Sequence, residues 1–215
     1  DRAIKKSYKE IAITVKVKHK TNIQNASQFF LKEGPLAILP YKKDYFSMVW
    51  SVNNNYFYEN KNNLKNILFG KLKTLLNTNK IINIGEIKTF PINLNLKTKY
   101  FKKNTLILGD GLHAIHPIAG QGFNLVLRDI RKLTELTSRT LQLGLLFKNT
   151  LILKDFYNSR KPENNLFGLG VNLTNLFFKD RKYFSSIKKI VLNNISNFSF
   201  VKRTSQKLAD RGFLF

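Results

Sequence analysis

A polar loop in the middle of the chain carries residue types that could bind a cofactor. Residues 106–125 read LILGDGLHAIHPIAGQGFNL, a short apolar run followed by Gly-Asp, His-Pro and Gly-Gln-Gly. Asp110 would follow a strand at its carboxyl end, where ligands collect in open α/β sheets, and its carboxylate could accept hydrogen bonds from sugar or polyol hydroxyls. Gly120 and Gly122 lack a Cβ, so amides at a helix N-terminus could approach a flat, negatively charged ligand. The pattern predicts a strand, a ligand-binding loop and a helix.

The run GDGLHAIHPIAGQGFNLVLRD resembles the second flavin-binding motif of the class A FAD-dependent aromatic hydroxylases. The ubiquinone-biosynthesis branch of that family has approximately GDAAHxxHPxAGQGxNxGxxD. By this resemblance Asp110 would bind the ribityl chain of FAD, and residues 117–124 would lie against the pyrimidine end of the isoalloxazine, where the helix dipole would stabilise the anionic reduced flavin. The cofactor-binding residues that the resemblance implies are Gly109, Asp110, Pro117, Gly120, Gln121, Gly122, Phe123 and Asn124.

Two positions depart from the family pattern. Leu112 stands where the family has a small Ala, and Val126 replaces the Gly of NxGxxD. Both residues would add bulk near the predicted flavin. An ordinary strand-loop-helix connection is the alternative interpretation of the motif, and a motif stays a hypothesis until its structural context is known.

Alternating side chains before the motif predict an antiparallel sheet. Residues 10–18 alternate strictly, with β-branched apolar residues on one face and Ala12, Thr14 and two lysines on the other. Residues 36–40 and 45–52 flank a short polar connection in the manner of a hairpin. The segments GPLAILP and SMVW resemble strands of the family's sheet over the substrate pocket. Phe46, Met48 and Trp50 share one face; we favour a core role for each, with a substrate pocket as the alternative.

The expected fold class is α+β/α/β, the C-terminal part of a para-hydroxybenzoate-hydroxylase-like fold. An antiparallel substrate-domain sheet would precede the flavin-motif strand, loop and helix, and helices would follow at the C-terminal end. We expect the substrate-domain sheet with helices at 1–92, the C-terminal part of an FAD-binding domain at 93–143 and a helical region at 144–215.

Local patterns give finer expectations. A second strand is expected at 27–33, a loop at 53–63, two short helices that break at Gly70, and one strand at 82–90. The Arg128-Asp129 pair matches the family's helix, and a solvated surface salt bridge is at least as good an interpretation as a functional role. The segment around Arg160 is similar to the family's Y-x-x-R-R, which joins two helices.

Composition excludes several classes of site. The chain has no cysteine and three histidines without zinc-site spacing, so disulfides, thiolate chemistry and a zinc site are not expected. The net charge of +24 comes from lysines spread along the whole chain, without a recognition motif for nucleic acid, so we expect no nucleic-acid partner. An anionic membrane surface suits a dispersed positive charge better, and the basic amphipathic pattern after residue 166 could lie on a membrane or pack against a missing flavin domain.

The resemblance implies an FAD-dependent monooxygenase that hydroxylates a polyprenyl phenol or quinol in ubiquinone biosynthesis, with O2 as co-substrate and NAD(P)H as a candidate electron donor. Neither GxGxxG nor DGxxS occurs in the chain, so we expect the C-terminal part of a longer enzyme. We expect a cytoplasmic location, with the inner membrane and a quinone-synthesis complex as candidate partners. No catalytic acid or base is predicted; for His113 and His116 we prefer loop residues fixed by hydrogen bonds over a proton-transfer role. A non-catalytic scaffold and a basic surface-binding module are the alternatives.

Overall fold

A computed structural model describes residues 2–117, 121–145 and 151–179 of the chain. The chain divides into two compact units. Residues 7–92 form the first, which we call the sheet unit. Residues 2–6 together with the described residues from 93 onward form the second, which we call the motif unit.

Nine strands and four α-helices occur in the described residues. The strands are β1 (Ala3–His19), β2 (Ser27–Phe30), β3 (Pro35–Lys42), β4 (Tyr45–Asn53), β5 (Ile81–Ile84), β6 (Lys88–Lys97), β7 (Phe101–Lys102), β8 (Thr105–Leu106) and β9 (His113–Ala114). The helices are α1 (Asn54–Asn60), α2 (Leu64–Leu75), α3 (Gln121–Gln142) and α4 (Leu151–Lys179). Single turns of 3-10 helix lie at Lys61–Asn63 and Gly109–Gly111.

The sheet unit is built on antiparallel pairing. Strands run in the order β2-β3-β4-β1, and β5 pairs with the end of β1. The β3–β4 hairpin turns at Lys43 and Asp44, as the sequence predicts, and its register shifts between Pro40 and Lys42. Strand β2 is shorter than the expected 27–33. The expected strand at 82–90 is two strands, β5 and β6, separated by residues 85–87.

One face of this sheet packs against the helices to form an apolar core. Phe46, Met48 and Trp50 are fully buried there, so the core interpretation of these three residues is confirmed. The alternating apolar side chains of β1 lie on the same side, and Leu68 and Leu72 cover them from α2. Burying several large side chains on each element supplies most of the stabilisation of such a unit.

Two further local expectations in the sheet unit are wrong. Residues 53–63 are not a loop, because α1 and a 3-10 turn occupy them, and the Asn53 side chain caps α1 by accepting a hydrogen bond from the Asn55 amide at 2.9 Å. Helix α2 continues through Gly70 without a break. Burial of Leu68 and Leu72 on either side outweighs the helix cost of one exposed glycine, about 1 kcal/mol.

The motif unit holds the end of β6, the short strands β7, β8 and β9, and the two long helices. β9 pairs antiparallel with β6, with His113 opposite Leu96. The segment around Arg160 does not join two helices, since it lies inside α4, which accommodates Pro162 in its interior. Most of the basic amphipathic pattern expected after residue 166 lies outside the described residues, which end at residue 179.

Candidate functional site

The Gly-Asp pair lies on a tight turn at the end of a short strand. β8 ends at Leu106, earlier than the predicted strand, and Gly109 takes φ of +69°, which favours glycine. The Gly109 carbonyl then accepts a hydrogen bond from the Leu112 amide at 2.9 Å, closing the 3-10 turn. The turn therefore presents Asp110 shortly after the carboxyl end of β8, which pairs with β7 in a two-stranded antiparallel sheet.

The other predicted cofactor residues lie around this turn and at the start of α3. Asp110 and Pro117 are exposed, and Gly109 is half-buried. Helix α3 begins at Gln121 and packs against the 109–111 turn. In its first turn Gly122 and Asn124 are half-buried, whereas the Phe123 side chain is 70% exposed. Gly120 lies outside the described residues.

The side chain of Leu112, one of the two departures from the family pattern, packs into the interior. It is buried in an apolar cluster with Tyr100 and Phe156, and its backbone carbonyl accepts a hydrogen bond from the Lys97 amide at 2.9 Å. The added bulk of Leu112 therefore fills the core of the motif unit. Val126, the other departure, is half-buried on α3.

Behind the motif lies a buried network of charged and polar side chains, which we call the Asp129 network. Asp129 is fully buried and accepts a hydrogen bond from His113 Nε2 at 2.6 Å and one from Arg160 Nε at 2.6 Å. Since a carboxylate only accepts, Nε2 of His113 must be the donor. Asn164 Nδ2 donates hydrogen bonds to Asp129 Oδ1 and to the Tyr100 hydroxyl oxygen, each at 3.3 Å.

The guanidinium of Arg160 extends the network along α4. It donates to the Glu163 carboxylate and, through a second terminal nitrogen, to Asn164 Oδ1 at 2.9 Å. Arg128 Nη1 lies 3.7 Å from the other Glu163 oxygen, and the Arg128 guanidinium carbon lies 4.4 Å from the centre of the Phe167 ring. Two carboxylates and two guanidinium groups thus meet in one buried cluster, which lets their charges compensate each other.

Electrostatics inside the network favour the charged form of Asp129. Burial alone would raise its pKa, but hydrogen bonds from His113 and Arg160, together with the positive charge of Arg160, lower that pKa below its ordinary value. Burial, with a smaller contribution from the Asp129 charge, raises the pKa of Tyr100 to about 12. Tyr100 therefore stays a neutral phenol at physiological pH.

The structure corrects the interpretation of the Arg128-Asp129 pair. Neither side chain forms a solvated surface salt bridge, because both are buried and Asp129 pairs with Arg160 and His113. His113 is held by the expected kind of hydrogen bond, but it lies on β9 and not in a loop. Sequence analysis missed Glu163, Asn164 and Tyr100 and gave Arg160 no role. One signal was available, namely three polar residues at positions i, i+3 and i+4 of one helix, which place them on the same face.

The described residues hold neither a metal-binding cluster nor a membrane-spanning helix. No three His, Asp or Glu side chains among them lie close enough together to hold a metal ion. None of the helices in the described part of the chain is long and apolar enough to cross a membrane.

Comparison with known proteins agrees with the motif. Residues 6–142 match the family described as FAD binding domain. The chain belongs to this family. It is 27% identical over 205 residues to the mitochondrial ubiquinone biosynthesis monooxygenase COQ6 of Dictyostelium discoideum, covering 79% of this chain and 41% of the relative. It is 26% identical over 151 residues to the 3-demethoxyubiquinol 3-hydroxylase of Escherichia coli (strain K12), covering 68% and 38%.

The fold is also similar to that of a solved monooxygenase. The p-nitrophenol 4-monooxygenase PnpA of Pseudomonas putida DLL-E4 superposes with a TM-score of 0.77 at 13% identity, over 97% of this chain and 55% of that one. The expected fold class, an antiparallel sheet followed by the motif and helices, is confirmed. The chain spans about two fifths of the length of the two curated relatives named above.

Proposed function

We propose that this chain is the flavin-motif part of an FAD-dependent monooxygenase, which hydroxylates the aromatic ring of a polyprenyl phenol or quinol in ubiquinone biosynthesis. The observation that carries the proposal is the 109–111 turn, where a left-handed glycine presents an exposed carboxylate beside the start of α3. The family match and the names of the relatives support the reaction class.

The residues around the turn fit a flavin. The exposed Asp110 carboxylate can accept hydrogen bonds from the ribityl hydroxyls, and no described residue pairs with it. The amides of Gly122 and Phe123 lie in the first helical turn, where backbone N–H groups have no partner inside the helix and favour negative charge. Space beside Gly122 is open, since a Cβ there would be only in ordinary contact with Ile115 at 3.9 Å.

When bound, FAD would supply the redox chemistry that activates O2 for ring hydroxylation. The chain's own contribution is to bind and orient the cofactor: Asp110 holds its polyol, and the α3 N-terminus stabilises negative charge on its ring. We assign no side chain as a catalytic acid or base. His113, the histidine nearest Asp110 in sequence, is held in the Asp129 network instead.

The sheet unit limits where an aromatic substrate could bind. Since Phe46, Met48 and Trp50 fill the core, we place the substrate-facing surface on the other side of the sheet. There Thr14, Ser47 and Val49 are half-buried, and Thr14 lies opposite Val49 in the β1–β4 ladder. The mixed polarity of these side chains suits a phenol or quinol.

Electron donor, location and partners extend the proposal. NAD(P)H is the donor we propose. A polyprenyl tail would bring the enzyme to a membrane surface, and the net charge of +24 favours an anionic one. We therefore propose that the enzyme is cytoplasmic and attaches peripherally to the inner membrane. We propose a quinone-synthesis complex as its protein partner.

A visible absorption spectrum tests the cofactor. The full-length protein, purified without added FAD, should show a flavin spectrum, and Asp110→Ala should lose it. Asp155→Ala is the matched control, because Asp155 is an exposed carboxylate on α4 away from the turn. A colourless protein that also takes up no added FAD would contradict the proposal and favour the non-catalytic scaffold, although the burial of Leu112 in the core removes one argument for it.

Oxygen incorporation tests the reaction. The full-length protein with FAD, NADPH and a short-chain prenyl phenol in 18O2 should give a product that carries one labelled oxygen. Consumption of NADPH with release of hydrogen peroxide alone would keep the flavin site and reject this substrate class.

A further inference from the structure

Helix α4 lies beyond residues 6–142, the part of the chain that matches the FAD binding domain. Two consecutive residues of the flavin motif nevertheless depend on it. Leu112 packs against Phe156 of α4, and His113 reaches Arg160 of α4 through the shared carboxylate of Asp129. The motif is thus fixed from the side opposite its exposed turn.

Apolar contacts hold α4 close to the strand that carries the motif. Gly168 approaches Leu96 so closely that a Cβ would lie 2.6 Å from the Leu96 Cδ1 atom. Leu96 is the β6 residue that lies opposite His113 in the β6–β9 ladder. A shift of α4 would therefore displace Leu96 and, with it, the backbone of His113, because closely packed interiors transmit displacements.

Polar contacts set the direction of the Asp129 carboxylate. Arg160 is 1% exposed and reaches Asp129, Glu163 and Asn164 with three different nitrogens. A planar guanidinium with three fixed partners has one orientation, and so does the carboxylate that it holds. The second oxygen of Asp129 then has a fixed position for the His113 Nε2–H.

We propose that Arg160 is a positioning residue for the FAD site, which holds the 109–114 segment in its binding conformation through Asp129 and His113. The inference rests on the proposed function, since it assigns a second layer of residues to the same cofactor site. Arg160 touches neither Asp110 nor the start of α3 in the contacts described above; it acts only through the residues it orients.

The chemistry of the network favours this role over a purely stabilising one. A buried ion cluster gives little net stability compared with apolar side chains of similar volume, because desolvation offsets much of the attraction. Directional bonds in such a cluster instead fix the groups that they join in one arrangement. Outer partners of this kind are what fix the orientation of functional side chains in other binding sites.

Hydrogen–deuterium exchange without FAD tests the positioning directly. In the full-length protein, Arg160→Gln should raise exchange at the amides of 109–116 and leave the sheet unit unchanged. Arg160→Lys should give an intermediate increase, because an ammonium keeps the charge but cannot contact all three partners at once. Arg131→Gln is the matched control, since Arg131 is an exposed arginine on α3; it should leave exchange at 109–116 unchanged.

FAD titration gives the second measurement. Arg160→Gln should raise the dissociation constant for FAD roughly tenfold, in the range of coupling effects through packed networks, with Arg160→Lys between it and the parent. Visible circular dichroism of the bound flavin should change in the same order. Arg131→Gln should alter neither quantity.

The outcomes separate the two proposals. Loss of FAD binding in Asp110→Ala with no change in Arg160→Lys or Arg160→Gln would overturn the positioning role and keep the proposed function. An increase in exchange spread over the whole motif unit would reduce Arg160 to a structural residue and likewise overturn the inference. If the parent protein takes up no FAD, the proposed function fails, and the exchange pattern at 109–116, measured without FAD, still decides whether Arg160 positions that segment.

Discussion

The two units of the chain fill their interiors in different ways. The core of the sheet unit is formed by apolar side chains from the sheet, such as Trp50 and Phe46, and from a helix, such as Leu68. The motif unit also has a small apolar cluster, but beside it are buried the charged groups of Asp129 and Arg160. The sheet unit is stabilised mainly by buried apolar surface, and the motif unit is stabilised also by directional hydrogen bonds between buried charged groups.

This difference follows from what each unit must keep constant. An apolar core tolerates substitution provided that its volume is preserved, so it fixes a shape only approximately. A buried carboxylate with three donors accepts one arrangement, because any displacement leaves a charge without compensation. We infer that the motif unit requires the stricter device because it has to hold the backbone of a binding turn.

The largest expected effect comes from removing the central charge of the Asp129 network. Asp129→Asn leaves Arg160 buried beside a neutral group and should lower the free energy of unfolding of the motif unit by about 3–5 kcal/mol. Urea unfolding followed by far-ultraviolet circular dichroism, which weights the helices, should show the loss. The fluorescence of Trp50, the single tryptophan of the chain and part of the sheet unit, should report a smaller change.

The same substitution at an exposed aspartate provides the control. Asp155→Asn should change the free energy of unfolding by less than about 0.5 kcal/mol, as surface substitutions usually do. If Asp129→Asn moves the tryptophan and helix transitions by the same amount, the two units unfold as one, and the contrast between them does not extend to stability.

A cavity in the apolar core should destabilise the sheet unit and leave the FAD site of the motif unit nearly unchanged. Leu68 is fully buried on α2, and Leu68→Ala should cost about 2–5 kcal/mol through lost burial and an unfilled cavity. The tryptophan transition should shift to lower urea concentration, whereas the dissociation constant for FAD should stay within about twofold of the parent value. Leu39→Ala, at a side chain that is 42% exposed, is the control and should have little effect. A large loss of FAD affinity in Leu68→Ala would contradict the division of roles.

The same contrast explains how much the sequence could predict. Alternation along β1 and β4 is a direct consequence of one face being buried, so the strands, the hairpin and the core role of Trp50 were predictable from side-chain period. The flavin motif was predictable for another reason, since a glycine, a carboxylate and a helix start follow one another within one short segment, residues 109–124. Both signals are local in sequence.

The pairing of Asp129 with Arg160 and of Asn164 with Tyr100 was not predictable, because these partners are distant in sequence. Asp129 and Arg160 are 31 residues apart and Asn164 and Tyr100 are 64 apart, and nothing in either local pattern distinguishes a buried charge from a solvated one. Arg128 is adjacent to Asp129 in sequence, and for this reason the two residues were interpreted as a salt bridge, whereas Asp129 pairs with Arg160 and His113. Helix α1 was missed for a similar reason: its asparagines and tyrosines have modest helix propensity, and packing against the core decides its structure.

Acid should weaken the motif unit more than the sheet unit. Because the pKa of Asp129 is lower in the folded protein than in the unfolded chain, its contribution to stability is present above the unfolded value, about 3.9, and is lost as the pH falls through the folded value. Each unit of difference between the two values corresponds to about 1.4 kcal/mol. Helix unfolding measured from pH 7 to pH 3 should therefore show a steeper loss for the parent protein than for Asp129→Asn. Parallel pH profiles for the two proteins would show that another carboxyl group controls the acid response.

The smallest expected effect concerns a charge pair of the sheet unit. Lys71 Nζ lies 2.9 Å from Glu33 Oε1 and 5.0 Å from the centre of the Trp50 ring. Burial alone would raise the pKa of Glu33, but the hydrogen bond and charge of Lys71 lower it. Both side chains remain partly exposed, so water and salt screen the pair, and Lys71→Met should cost less than about 1 kcal/mol.

The control for this pair is Lys73→Met on the same helix. Lys73 also lies over an aromatic ring, that of Phe69 at 4.7 Å, but makes no ion pair in the described part of the chain. The difference between the two variants in urea unfolding isolates the Glu33 contact, and it should shrink in 1 M salt, where the screening length is about 3 Å. A difference of several kcal/mol that salt does not reduce would mean that the sheet unit also depends on a desolvated charge, and the contrast with the Asp129 network would then be one of degree.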